Sequence, residues 1–318
     1  MALNPDPPSR PRRPKRGALV AKALILLGVL VAGLAGGFLL HDLSDQAAHP
    51  KAGSQNPSDL AALIDQVNPP EGYALPATFS DVGPRLVAAG VIDLDRFVQL
   101  YQQAGRPLTG DQQTILAKGS NARVVIDSRD AYFLLNFFWA LGLVNDNPVL
   151  TDGPMMTRGQ DQVGNFASTG GWTLGTKPAT ELYASAEIIS LTEEQQARLE
   201  EVASAVYRPC CDNPTRFPDC NHGMAMLGLL ELMASQNAGV EAMFAAAKYV
   251  NAFWFPQQML ELATLFKLTQ DTDFAHTDAR QVVSERYSSA SGFQSAHAWL
   301  TNNGLLPQVP DSGGSCGV

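Results

Sequence analysis

The chain has 318 residues, with 31 acidic against 22 basic side chains and a formal net charge of −9. An acid surplus of that size excludes a body built to grip nucleic acid or an anionic lipid surface. The charge is also unevenly spread. Arg10, Arg12, Arg13, Lys15 and Arg16 stand among five prolines in residues 1–17 against the single acid Asp6, a local +4 that leaves −13 for the rest. A segment of that composition cannot form a packed core.

Residues 18–40 are apolar except for Lys22, whose stem can lie along the apolar surface while its charge reaches the basic end. From Ala23 to Leu40 there are eighteen uncharged residues, enough for a helix to cross a bilayer. The expectation is a single-pass transmembrane anchor at 18–40, a cytoplasmic basic tail at 1–17, and an extracytoplasmic body after His41. The alternative is a signal peptide cut after Ala35, which would leave a secreted protein. Residues 41–68, rich in Ala, Ser, Gln, Pro and Gly, read as a flexible linker with a short helix near Leu60–Val67. Asn68-Pro-Pro-Glu-Gly72 then breaks the chain.

The body is expected at 69–307, with 308–318 a flexible tail carrying Cys316. From Ser80 to Ile126 the pattern is one of short amphipathic helices. Asp93 caps one carrying Leu94, Phe97, Val98 and Tyr101, and Thr109-Gly-Asp-Gln112 caps the next. Ala131–Val144 is apolar all round but only fourteen residues long, so it reads as a core helix and not as a second membrane span. Its Asn136 then needs a buried partner. Residues 145–178 read as a long irregular Gly-rich loop, which Phe166 and Trp172 would pack on the body, over the cysteine loop described next. Ser190-Leu-Thr-Glu193 opens a helix to about Val206; later helices are expected at Gly223–Gln236, Val240–Phe253, Gln257–Leu268, Asp278–Ser289 and Phe293–Thr301. Only Arg123–Ile126 and Trp172–Leu174 look extended, and no alternating run pairs with them. The fold class is therefore predominantly all-α, a transmembrane helix followed by a multi-helix domain without an internal linker or repeat.

The chemistry concentrates in one stretch. Cys210, Cys211, Cys220 and His222 fall within thirteen positions of a two-proline loop between helices, with Cys220 and His222 at the start of a helix. Backbone N–H groups and the helix dipole favour thiolate there. A Cys3His metal site is the leading expectation, with Met224 and Met226 as secondary donors. Three thiolates and an imidazole suit zinc or an iron–sulfur centre, and added thioethers suit copper.

Over ten residues, Cys211 to Cys220, with Arg216-Phe217-Pro218-Asp219 between them, the loop resembles half of the CDGSH iron–sulfur signature. The resemblance implies a [2Fe–2S] ligand set and nothing about the rest of the fold. It departs from the signature in two ways. Cys210 and Cys211 are adjacent where that family separates the cysteines by one residue, and His222 follows Cys220 by two positions, not four.

The function expected is metal capture, delivery or electron transfer at the outer membrane face, the protein leaning away from being an enzyme. It would have the membrane as a partner through 18–40, no nucleic acid, and a protein partner on the exported face. Two other classes stay open: a vicinal-thiol redox enzyme, and a disulfide-braced helical module in which four cysteines allow three pairings. Cys316 can serve as a fourth thiolate, pair with Cys210 or Cys211, or stay free. No serine–histidine–aspartate arrangement can be placed, and nothing in the sequence marks Glu231 or Glu261 as acid–base groups.

Overall fold

The computed structural model describes residues 57–307, so the basic tail, the apolar segment 18–40, most of the linker and Cys316 lie outside the described residues. Among the described residues no helix is long and apolar enough to cross a membrane. They fall in one compact unit.

Helix α1 (Pro57–Val67) buries Leu63 and Val67, and Asn68 Nδ2 donates to the Ala252 carbonyl at 2.9 Å. Among the described residues packing is thus already present from Pro57, ahead of the expected start at 69, and the last twelve residues of the expected flexible linker are ordered by burial of that apolar face.

Strand β1 (Tyr73–Ser80) follows, then α2 (Val82–Ala88), α3 (Leu94–Gln103), α4 (Gly110–Lys118) and strand β2 (Ser120–Ile126). The caps expected of α3 and α4 are present: Asp93 accepts from the Arg96 N–H, and Thr109 and Gln112 form a capping box. The strand pair corrects the all-helical reading of this region. β1 and β2 run antiparallel, Tyr73 opposite Ile126 and Ser80 opposite Ser120, with a register shift between Ala74 and Thr78, around Pro76. Leu75, Ala77 and Phe79 alternate into the core. On its other edge β1 meets a side chain in place of a strand: the Gln236 amide accepts from Thr78 N–H and donates to Thr78 O, at 2.8 and 2.9 Å.

Helix α5 (Ala131–Val144) is buried along its length except at Tyr132. Asn136 finds half of its expected partners, Nδ2 donating to the Tyr101 hydroxyl at 3.0 Å while Oδ1 is unpartnered. Residues 148–170 are a chain of one-turn α and 3-10 helices and not an irregular loop, while 171–178 carry no regular structure before a last turn at Ala179–Leu182. Helix α6 (Glu193–Ala205) opens on a capping box of Thr192 and Gln195, two residues later than the Ser190–Glu193 box expected. Then come α7 (Asn221–Ser235), α8 (Val240–Trp254), α9 (Pro256–Gln270) and α10 (Ala290–Asn302), with only single helical turns at Ala279–Val282 and Glu285–Ser288 before α10. Pro256, which has no N–H to give to a continuing helix, divides α8 from α9.

The most extensive contact in the fold is between α5 and α7. A Cβ at Gly142 would lie 2.1 Å from the Met224 carbonyl oxygen, and one at Gly228 would lie 2.3 Å from the Phe138 carbonyl oxygen. The two backbones therefore touch. One turn further along each helix the Asn145 amide faces Glu231, so the helices run in the same direction. Glu231 is fully buried and neither of its carboxyl oxygens has a hydrogen-bond partner. Burial raises its pKa well above the ordinary range, which Asn145 only partly offsets. Lys248 is a buried cation, its Nζ donating to the carbonyls of Phe274, Ala275 and Thr277. Glu261 accepts from Gln257 and pairs with His297 Nδ1 at 2.7 Å.

Two outcomes follow from the α5–α7 contact. Gly142→Ala forces the helices apart and lowers the stability read from urea unfolding by about 2 kcal/mol, the scale of overpacking a tight core. Glu231→Gln acts in the opposite direction. The folded state holds the Glu231 proton to a higher pH than the unfolded chain does, so nothing is lost below the usual 4.5, and stability falls as pH rises above it. Removing the ionisable group flattens that fall, so the variant's gain in midpoint temperature grows from pH 5 to pH 8.

Candidate metal centre

The loop between α6 and α7 is tied down on several sides. Thr215 N–H and Oγ1 both donate to the Val206 carbonyl, and Arg216 N–H donates to Ala203 O. Ala290 and Ser291, at the start of α10, donate to Cys211 O and to Asp212 Oδ1. On the opposite side Ser168 N–H donates to Asp219 O, and the Phe166 ring meets Phe217 edge-on with centroids 5.5 Å apart. Both aromatic residues of the stretch after α5 pack on the body, Phe166 against the cysteine loop and Trp172 against Trp139 with its N–H on the Val91 carbonyl.

Within this frame three sulfurs converge. The Sγ atoms of Cys210, Cys211 and Cys220 all lie within 4.8 Å of one another. Cys210 and Cys220 are 3.4 Å apart and Cys211 and Cys220 are 4.0 Å apart. Thiolates bound to one tetrahedral zinc at about 2.3 Å stand about 3.8 Å from each other, so these separations bracket those of a shared ion. Cys210 is exposed, and the other two are half-buried. The cluster can hold a metal ion.

Cys220 is the N-cap of α7, its sulfur accepting the Gly223 N–H at 3.3 Å in place of the usual oxygen cap. Beneath it lies Arg208, only 1% exposed. Its Nε donates to Cys220 Sγ at 3.1 Å, Nη1 to Asn213 O at 2.8 Å, and Nη2 to Asp219 Oδ1 at 2.8 Å. Asn213 Nδ2 holds the other Asp219 oxygen at 2.8 Å. Hydrogen bonds from the Cys210 and Cys211 thiols, then the charge and N–H of Arg208, bring the Cys220 pKa well below the thiol range against the opposing effect of burial. Cys210 is displaced upward by its bonds to Cys211 and Cys220 and by burial. For Cys211 the bond to Cys210 lowers the value, but the bond to Cys220 and burial win and push it up to about 12. Of the three sulfurs Cys220, in contact with the buried guanidinium, is the one whose surroundings favour thiolate.

The chain matches no family model, no curated protein and no solved structure. The site's own chemistry carries the reading.

His222 does not join the three sulfurs, which corrects the Cys3His expectation. Residues two apart on a helix point roughly 200° from one another, so with Cys220 at the cap His222 projects to the opposite side. There it is buried against Trp254 and Phe255, with ring centroids 5.7 and 4.5 Å away. The four-residue spacing of the CDGSH signature would keep histidine and cysteine on one face; the two-residue spacing here separates them. Met224 and Met226 are fully buried members of the apolar core. Arg208, Asn213 and Asp219 were not read from the sequence, because their contacts cross the loop and follow no spacing rule.

Burial lowers the His222 pKa to about 4. The unfolded chain takes up a proton near 6.5 and the folded one does not, so His222 removes stability as pH falls from 6.5 toward 4. The loss amounts to about 3 kcal/mol at most. In the metal-free protein His222→Phe abolishes this part of the acid sensitivity while keeping the aromatic packing, which a series of urea titrations between pH 4 and 7 reads directly.

Proposed function

We propose that this is a membrane-tethered, extracytoplasmic metal-handling protein in which Cys210, Cys211 and Cys220 hold one thiophilic transition-metal ion, copper or zinc. The observation that carries the reading is the mutual approach of all three sulfurs. A disulfide uses two sulfurs and gives no reason for the third to be gathered with them. Protein-bound [2Fe–2S] centres take four ligands, and with His222 turned into the core three are in place among the described residues, an arrangement that favours a single ion over a cluster. The three ligands found among the described residues leave a fourth coordination position for a further ligand, the arrangement of sites that exchange or activate one. Cys210, at the solvent edge, is where an incoming donor would meet the ion, which suits capture and delivery better than permanent structural bracing.

The apolar run 18–40 behind a basic tail supports tethering with the body outside. The disulfide-braced interaction module draws less from the structure, since among the described residues Val125 is the one large apolar side chain in the fully exposed range. Thiol–disulfide chemistry is the second reading, favoured by the 3.4 Å between Cys210 and Cys220.

The full-length chain, purified anaerobically, is expected to carry one copper or zinc per molecule by elemental analysis. Serine at any of the three cysteines removes it, and His222→Phe retains it. Native material joined by a Cys210–Cys220 disulfide, with no ion bound, overturns the metal reading in favour of the redox one. Removal of residues 1–40 releases the protein from membrane fractions.

A further inference from the structure

We propose that Arg208 is a positioning residue of the metal centre, its guanidinium setting, through the hydrogen bond to Cys220 Sγ, how tightly that sulfur holds the ion. The proposal rests on the reading of the three sulfurs as ligands.

An arginine that only braced a loop would spend its donors on oxygen. Arg208 bonds Asn213 O, Phe217 O and Asp219 Oδ1, and also directs Nε at the sulfur, 3.1 Å away. The start of α7 is shaped to admit it. A Cβ on Gly223 would lie 2.3 Å from Nη2 and 2.4 Å from Cζ, so only glycine leaves room for the guanidinium beside the cap. Charge points the same way. Asp219 balances one positive charge, and three thiolates exceed the charge of either a monovalent or a divalent ion, so the loaded centre is anionic. A buried cation in hydrogen-bond contact with one ligand stabilises that state. An N–H donated to a coordinated sulfur also draws electron density from it and raises the energy of sulfur-to-metal charge transfer. Lysine cannot reproduce this planar fork, in which one group reaches a sulfur, a carboxylate and two carbonyls.

The test uses the full-length chain with Co(II) as probe, comparing wild type, Arg208→Met, Arg208→Lys and Gly223→Ala. Arg208→Met should weaken Co(II) binding by about tenfold or more, the usual effect of losing a partner of a metal ligand, and move the sulfur-to-cobalt band to lower energy. Arg208→Lys should recover part of the affinity. Gly223→Ala keeps the charge and improves helix propensity but displaces the guanidinium, and should move the band in the same direction. If Arg208→Met fails to fold by circular dichroism, Gly223→Ala decides. A folded Arg208→Met or, in its place, Gly223→Ala with wild-type affinity and spectrum overturns the proposal and leaves the metal reading intact. Wild type that binds no Co(II) removes both.

Discussion

Two glycines let the polypeptide backbones of α5 and α7 touch, and the rest of the fold is built on that contact. Gly142 and Gly228 each sit against a carbonyl of the other helix, so neither position has room for a methyl group. Close approach brings Asn145 to Glu231 and fixes where α7 begins. Because Cys220 is the first residue of that helix in effect, its cap, the position of the sulfur cluster is inherited from the glycine contact some two turns away.

Around that cap the physical chemistry is one of charge held at low cost. A lone buried guanidinium would be costly; here it has a carboxylate, two carbonyls and a sulfur. A lone half-buried thiolate would be costly too. It is met by a helix N–H, a cation and two thiols. Each charge accounts for the other, and the loop that carries both is stitched to the stretch after α5 and to the start of α10, so the geometry does not depend on the loop alone.

Much of this was legible from residue order. The caps at Asp93 and Thr109 and the fourteen apolar residues of α5 announce their helices through local chemistry, and the clustering of three cysteines announced the site. Of the strands only Arg123–Ile126, the second half of β2, was legible as extended chain, and its pairing was not. β1 carries Pro76 and small alanines, a poor strand signature, and it is held on one edge by β2 and on the other by a glutamine side chain 158 residues away. His222 was misread because proximity in sequence was allowed to stand for proximity in space, when two steps along a helix reverse the direction of a side chain. Arg208 could not be read at all: nothing in its neighbourhood distinguishes it from a surface arginine until the loop closes over it.

The near-complete concealment of large apolar side chains among the described residues has a further consequence. Among the described residues Val125 is the one large apolar side chain in the fully exposed range, and the sequence beyond residue 17 carries thirteen more negative than positive charges. A surplus of that sign attracts cationic species at long range in dilute electrolyte and loses that reach in concentrated salt.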